Sequence, residues 1–389
     1  MARYSACFIF ILLAAAATLA QGPRVVAIGD RHLWPEKVDS PNSFDKASRA
    51  AILIYSRKLQ EQKAAEVRGL NRPSVVKWLN KELALSRTNY QLAAGTCGAA
   101  DWTCAGKTSD LEEAYARASA SAVPANLVTW KAALEQFASD YIGEQVRLAA
   151  LFARTTSEID LFDTNEFNGD GLDDRKFFLT IDDGPTEANG NTDGTLQMLA
   201  ANQKTAVFFL LGGSLKSRLR ETSAAKLASL YQGQCIGSHG WEHLAHVNSA
   251  PWRDGRTWQT SVTDTETLLR STFSTAVAPL FRPPYGQRRA DSIPFFLDQG
   301  LHVALWDIDS QDWNPKMTAD DVTNRVETLM LIKRHGILLF HDIFPKAKTA
   351  VPILIQDLAS AVNWGDCRQI SQAFEPASSD TIRRRKSLD

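Results

Sequence analysis

Two carboxylates stand side by side at Asp182 and Asp183, straight after the apolar run 177–181 and straight before Gly184-Pro185. Neighbouring carboxylates cannot both stay ionised away from water unless a cation or an arginine sits beside them. Counter-charges are on offer downstream at His239, His243, Arg282 and His341. The two histidines are spaced i, i+4, which points both imidazoles at one spot if the chain turns helically after Ser238. Two imidazoles with the Asp183 carboxylate are the donor set of a divalent-cation site that leaves positions for water and substrate, as in metal-assisted hydrolysis. His246 lies one turn further on and reads as a bystander.

Each of these residues follows an apolar run, so strands must carry them. Strand-like segments fall at 177–181, 206–211, 235–238, 279–282, 302–307 and 336–341. Helical candidates lie between and after them, at 195–202, 224–232, 259–272, 291–299, 319–334 and 351–362. Strand and helix alternating at this spacing predict parallel β/α units. The chemical residues all sit at the C-terminal ends of strands, where the loops of a β/α barrel build an active site.

Five motifs, TIDDGP, HGWEH, RPPYG, DSQDW and LLFHD, occur in that order over roughly residues 176–362. With them the second half of the chain resembles the polysaccharide deacetylase family, that is, the NodB-homology or carbohydrate esterase family 4 domain. The resemblance implies a distorted (β/α) barrel of the NodB-homology type in an α/β chain. It also implies roles: Asp183, His239 and His243 hold a divalent metal, usually zinc (Zn2+), which polarises the acetyl carbonyl and acidifies a bound water. Asp182 is the general base, kept ionised by Arg282. His341 is the general acid that protonates the departing sugar amine, favoured as a cation by Asp312 or, second, by Asp309. The backbone N–H of Tyr285, held by Pro283-Pro284, joins the metal in stabilising the oxyanion. Trp313 walls the groove and stacks on a sugar face, with Tyr285 and Pro284 beside it; a packed, buried tryptophan is the alternative reading of Trp313. Trp241, Trp252 and Trp258 either widen a sugar platform or pack. Asp342 orients a loop rather than acting chemically. Ile181 stands where the family usually has phenylalanine, an apolar exchange beneath the site.

The rest of the 389 residues frame this unit. Residues 1–20 have one charge at Arg3, an apolar core over 6–17 and a small-residue cleavage site at Thr18-Leu19-Ala20 before Gln21, the pattern of a secretory signal peptide; a membrane anchor is the alternative, but the stretch falls short of the ~20 residues a span needs. Residues 21–160 read as an all-α domain preceding the barrel, with Leu127, Trp130, Leu134, Phe137 and Tyr141 stepping by threes and fours down one face. Residues 161–175 are rich in Asp, Asn and Gly and read as a polar linker, without the spacing of a calcium loop. The deacetylase-like domain runs over 176–375, and 376–389 is a basic tail. Cys97, Cys104, Cys235 and Cys367 remain once Cys7 leaves with the leader, an even count that suits an oxidising compartment. Four cysteines allow three pairings; Cys97 with Cys104 would close a short loop and leave Cys235 for Cys367, while four free buried thiols are the alternative.

A formal charge of -1 gives no electrostatic footprint for nucleic acid. No stretch after the leader is long and apolar enough to cross a bilayer. The resemblance implies, as the expected function, a secreted or periplasmic, metal-dependent hydrolase acting on carbon-nitrogen, but not peptide, bonds. It would remove N-acetyl groups from an N-acetylhexosamine polysaccharide or oligosaccharide such as peptidoglycan, chitin or an exopolysaccharide. An O-acetyl esterase on xylan-type glycans is the alternative within the same chemistry. A non-catalytic glycan-binding module needs neither the base Asp182 nor the acid His341, and a two-carboxylate glycosidase needs no metal site.

Overall fold

Nine short strands and ten helices organise the described residues, which in this computed structural model are 24–64, 71–98, 101–104, 113, 124–152 and 161–373. The expected leader 1–20 and the basic tail 376–389 lie outside them. Three long helices come first, α1 (Pro41–Ala64), α2 (Arg72–Ala93) and α3 (Val128–Phe152). Then follow β1 (Glu166–Phe167), β2 (Lys176–Asp182), α4 (Asn191–Ala201), β3 (Ala206–Leu210), α5 (Gly212–Arg218), α6 (Ala224–Leu230) and β4 (Cys235–Ser238). After them come α7 (Trp258–Phe273), β5 (Val277–Phe281), α8 (Ile293–Asp298), β6 (His302–Ala304), β7 (Ile308–Asp309), α9 (Ala319–Lys333), β8 (Gly336–His341), α10 (Ala347–Leu358) and β9 (Asn363–Trp364).

All strand pairs are parallel, in the order β1-β6-β5-β4-β3-β2-β8-β7, with β9 paired to the start of β2. That order forces curvature. In a flat sheet β6 and β7 would stand six strand steps apart, roughly 29 Å at ~4.8 Å per step. Only residues 305–307 join them, a reach of at most about 14 Å. The two edges of the row must therefore approach each other, and the sheet rolls into an incomplete barrel, as the family resemblance implies.

The strands lie close to their expected positions, and three differences have local causes. Segment 161–175 is not all linker: Glu166 and Phe167 pair with Val303 and Ala304, and Glu166 is buried in an ion pair with Arg288. The expected strand 302–307 breaks after Ala304, because residues 305–307 carry the chain across the seam to β7. The segment after Ser238 does not turn helically. Gly240 adopts φ +79, and a Cβ there would lie 2.6 Å from His246 and 2.9 Å from Ser261, so a sharp bend replaces the helical turn.

Along β2, Phe177, Leu179 and Ile181 enter one buried cluster while Phe178 enters another, the period of two expected of a strand. Phe178, Thr180 and Asp182 share the second face. Helix α9 is buried on every side from Val322 to Lys333, as a helix between two layers must be. One of its sides meets the sheet and another meets α1 and α2, so Phe44, Tyr55, Trp78 and Phe137 share a continuous apolar cluster with Val326, Met330 and Phe340. The N-terminal helices also satisfy the end of α9, whose last carbonyls lack intrahelical donors. Ser48 donates to the Leu331 carbonyl at 2.6 Å, and Asn89 donates to those of Ile332 and Lys333 at 3.2 and 2.9 Å. Cys97 is bonded to Cys104 and Cys235 to Cys367.

Candidate active site

The C-terminal ends of β2, β4, β5 and β8 and the loop after β7 bring the chemical residues together. Asp182 ends β2 in register with His341 of β8. Its Oδ1 accepts from Arg282 Nη1 at 2.9 Å, and both residues are buried. Arg282 is held on all sides: it donates to Thr180 Oγ1 at 2.7 Å and to the carbonyls of Ala304 and Leu305, and stacks 4.1 Å from the Phe209 ring centre. Burial lowers the pKa of Arg282, and the charge and hydrogen bond of Asp182 oppose that.

Asp183 follows at φ +79, and its carboxylate meets both histidines. Its Oδ1 lies 3.3 Å from His239 Nε2 and 3.5 Å from His243 Nε2. The Asp183 oxygen is buried yet has no hydrogen-bond partner. His239 Nδ1 lies 2.7 Å from the Arg282 carbonyl oxygen, which can only accept, so Nδ1 carries the proton and Nε2 keeps its lone pair. Burial lowers His243 to about 4, leaving that imidazole neutral at pH 7. One donor atom from each of the three residues lies within 4.8 Å of the others. Two ligands bound at ~2.0–2.1 Å in tetrahedral geometry sit roughly 3.3–3.4 Å apart, so the spacing and the orphaned oxygen fit a divalent cation.

On the opposite side His341 Nδ1 meets Asp312 Oδ1 at 2.7 Å, and the His341 backbone N–H donates to Asp312 Oδ2 at 2.9 Å. Burial works against the imidazolium, but the charge of Asp312, with Asp183 and Asp182 behind it, lifts His341 to about 10. Asp309 is not the partner: its carboxylate receives the Gln311 backbone N–H at 2.8 Å and, at 3.5 Å, Trp313 Nε1. Tyr285 is 58% exposed at φ +59, with its ring centre 4.3 Å from that of His243, and Pro284 is buried beneath it. Trp313 is 37% exposed beside the site, so it is no core residue. Trp258 is, packing on Phe295 and Phe296, and Trp252 packs on His246. Trp241 is half-buried under Arg256, 4.1 Å from its ring centre.

One support escaped the sequence reading, and another, Asp342, was expected to orient a loop but without its contacts. Thr180, which orients Arg282, could have been found from the alternation that sets Phe178, Thr180 and Asp182 on one face. Asp342 packs so close to Gly184 that a Cβ there would lie 2.3 Å from Asp342 Oδ2, and Thr192 Oγ1 donates to that oxygen at 2.8 Å. No local signal marks that contact, since it joins loops 150 residues apart.

Residues 169–304 match the family model described as polysaccharide deacetylase. The chain is 29% identical over 183 residues to the peptidoglycan-N-acetylmuramic acid deacetylase PdaC of Bacillus subtilis, covering 46% of this chain and 35% of that one. It is 31% identical over 151 residues to a peptidoglycan-N-acetylglucosamine deacetylase of Bacillus cereus, covering 38% and 50%. To the chitooligosaccharide deacetylase of Rhizobium leguminosarum bv. trifolii it is 29% identical over 182 residues, covering 45% and 75%. The chain thus spans a third to a half of the length of the first two of these relatives. No described helix is long and apolar enough to cross a membrane.

Proposed function

We propose, for a chain whose residues 169–304 belong to the polysaccharide deacetylase family, a secreted hydrolase that uses a divalent metal, zinc, to remove N-acetyl groups from an N-acetylhexosamine polymer. The observation that carries this reading is the pairing of Asp182 with Arg282 and of His341 with Asp312 on either side of the cluster Asp183, His239 and His243. The names of the bacterial relatives favour peptidoglycan or chitooligosaccharide as the substrate. Two disulfides support an oxidising compartment.

Asp183, His239 and His243 would hold the cation, which when bound supplies Lewis acidity to the acyl carbonyl and acidifies water. Asp182, kept ionised by Arg282, takes the proton of the attacking water. The backbone N–H of Tyr285, which has no acceptor among the described residues, faces the charge that develops on the acyl oxygen. His341, cationic against Asp312, gives its Nε2 proton to the departing nitrogen as the C–N bond breaks. Acetate and a free amino sugar result. Tyr285 and Trp313 are exposed at the mouth and offer aromatic faces to neighbouring sugars.

The test is acetate release by purified protein from N-acetylated chitooligosaccharide, peptidoglycan and acetylated xylan in parallel. Release from an amide substrate is expected. Release from xylan alone would move the activity to ester cleavage, and binding of glycan without release from any would leave a non-catalytic module.

A further inference from the structure

The loop after β7 carries Asp312 and Trp313, and the N-terminal helices reach over to hold it. Glu144 of α3 accepts from Gln311 Nε2 at 2.6 Å, across 167 residues of chain. The same carboxylate lies 3.2 Å from Arg325 Nη2, and that buried arginine donates through Nε to the Asp309 carbonyl at 2.8 Å and through Nη1 to the Val26 carbonyl at 3.1 Å. Gln311 needs such support, because it is a non-glycine residue at φ +54 in the left-handed region. Immediately beyond it the Asp312 side chain meets both the ring and the backbone N–H of His341. Asn314 closes the loop by donating to the Arg24 carbonyl at 2.8 Å.

We infer that Glu144, outside the stretch that matches the family, is a positioning residue for the proton donor: through Gln311 and Arg325 it fixes the loop that aims Asp312 at His341. The N-terminal helical region then has a role in the reaction without touching substrate. The inference rests on the proposed deacetylation, but it has a readout of its own. An amide needs a proton on its leaving nitrogen, whereas an aryl ester releases a phenolate that needs none. Misplacing Asp312 should therefore slow amide cleavage far more than aryl-ester cleavage.

The experiment compares Glu144→Ala, Gln311→Ala and the double variant in the full chain. Each is assayed on N-acetylated chitooligosaccharide and on an aryl acetate, and amide hydrogen exchange is followed over 309–314. Amide kcat is expected to fall about ten- to a hundredfold, with the amide-to-ester ratio falling about as far, faster exchange confined to the loop, and a double variant no slower than the slower single one. Glu144→Gln, which can still accept from Gln311, should recover part of the loss. Gln311→Ala leaves Glu144 paired with Arg325 and decides the matter if Glu144→Ala does not fold. An unchanged ratio with unchanged loop exchange in Gln311→Ala would overturn the inference, as would faster exchange spread over the whole chain. Should the wild type cleave no amide at all, deacetylation fails, while loop exchange alone still decides whether Glu144 holds the loop.

Discussion

Asp182 and His341 face each other across one register of two adjacent strands, and each has a dedicated partner of opposite charge. Replacing Asp182 with Asn keeps the shape and the hydrogen bond from Arg282 but removes the proposed base, so turnover should fall ~10²–10⁴-fold while the protein still binds metal; near-normal turnover would remove Asp182 from that role. The His341 pair has a pH signature. Its folded-state value of about 10 lies above the ordinary 6.5. The pair therefore adds stability that is full below about 6.5 and is lost as pH climbs through about 10. Asp312→Asn removes the largest favourable cause, and the alkaline limb of kcat should move down by at least about one unit. A limb that stays put in this variant would show that another group sets it. These residues were legible because chemistry demands their types: adjacent acids call for cations, and His239, His243, Arg282 and His341 each follow an apolar run. The choice of Asp312 over Asp309 needed coordinates, since both acids share one short loop and only its turn decides which carboxylate reaches the imidazole.

At the scale of elements, six apolar runs, most of them leading into chemical residues, were enough to place the barrel's main strands and the face that bears the site. Shorter pieces carry too few residues for a period to show: Glu166–Phe167 is held by pairing and an ion pair rather than by an apolar pattern, and Gly212–Arg218 is a helix of two turns at most. The bend at Gly240 was hidden for a different reason, because the spacing of His239 and His243 is compatible with a helix and only the structure shows Gly240 at φ +79, where His246 and Ser261 leave no room for a side chain. The seam between β6 and β7 contains a buried acid with a measurable consequence. Asp307 Oδ1 accepts from the Ile337 N–H at 2.6 Å, while its other oxygen is buried without a partner. Burial, reinforced by the charge of Asp170, pushes Asp307 up to about 8 from 3.8. Between those values the folded state keeps a proton that the unfolded chain gives up, so this group makes stability fall as pH rises from about 4 to 8. Asp307→Asn keeps an acceptor for Ile337 and cannot ionise. Its urea midpoint should exceed that of the wild type at pH 8, by free energies on the order of a few kcal/mol, and the advantage should shrink at pH 5. A variant less stable than wild type at both values would contradict the raised acid.

Across the whole molecule, α9 joins two layers that the sequence separates by composition. Its burial on all sides, with Glu82 held by Lys333 at 2.8 Å and Asp45 by Arg334 at 2.7 Å, makes the helices and the barrel share one core. Heating should therefore give one cooperative transition followed alike by helical and aromatic signals; two separated transitions would show independent units. Glu82→Ala strands a buried ammonium and should cost ~3–5 kcal/mol, much of it recovered by adding Lys333→Met. The sequence showed the helices but not this packing, because the contacts join segments some 250 residues apart. The most direct measurement of the central claim is acetate release from an N-acetylated glycan before chelation, after chelation, and after zinc is returned, with bound metal counted at each stage. Release that vanishes with the metal and returns with one zinc per chain is the predicted result, and it should be absent in His239→Ala, which lacks a proposed ligand. Release that continues undiminished from metal-free protein would contradict the account.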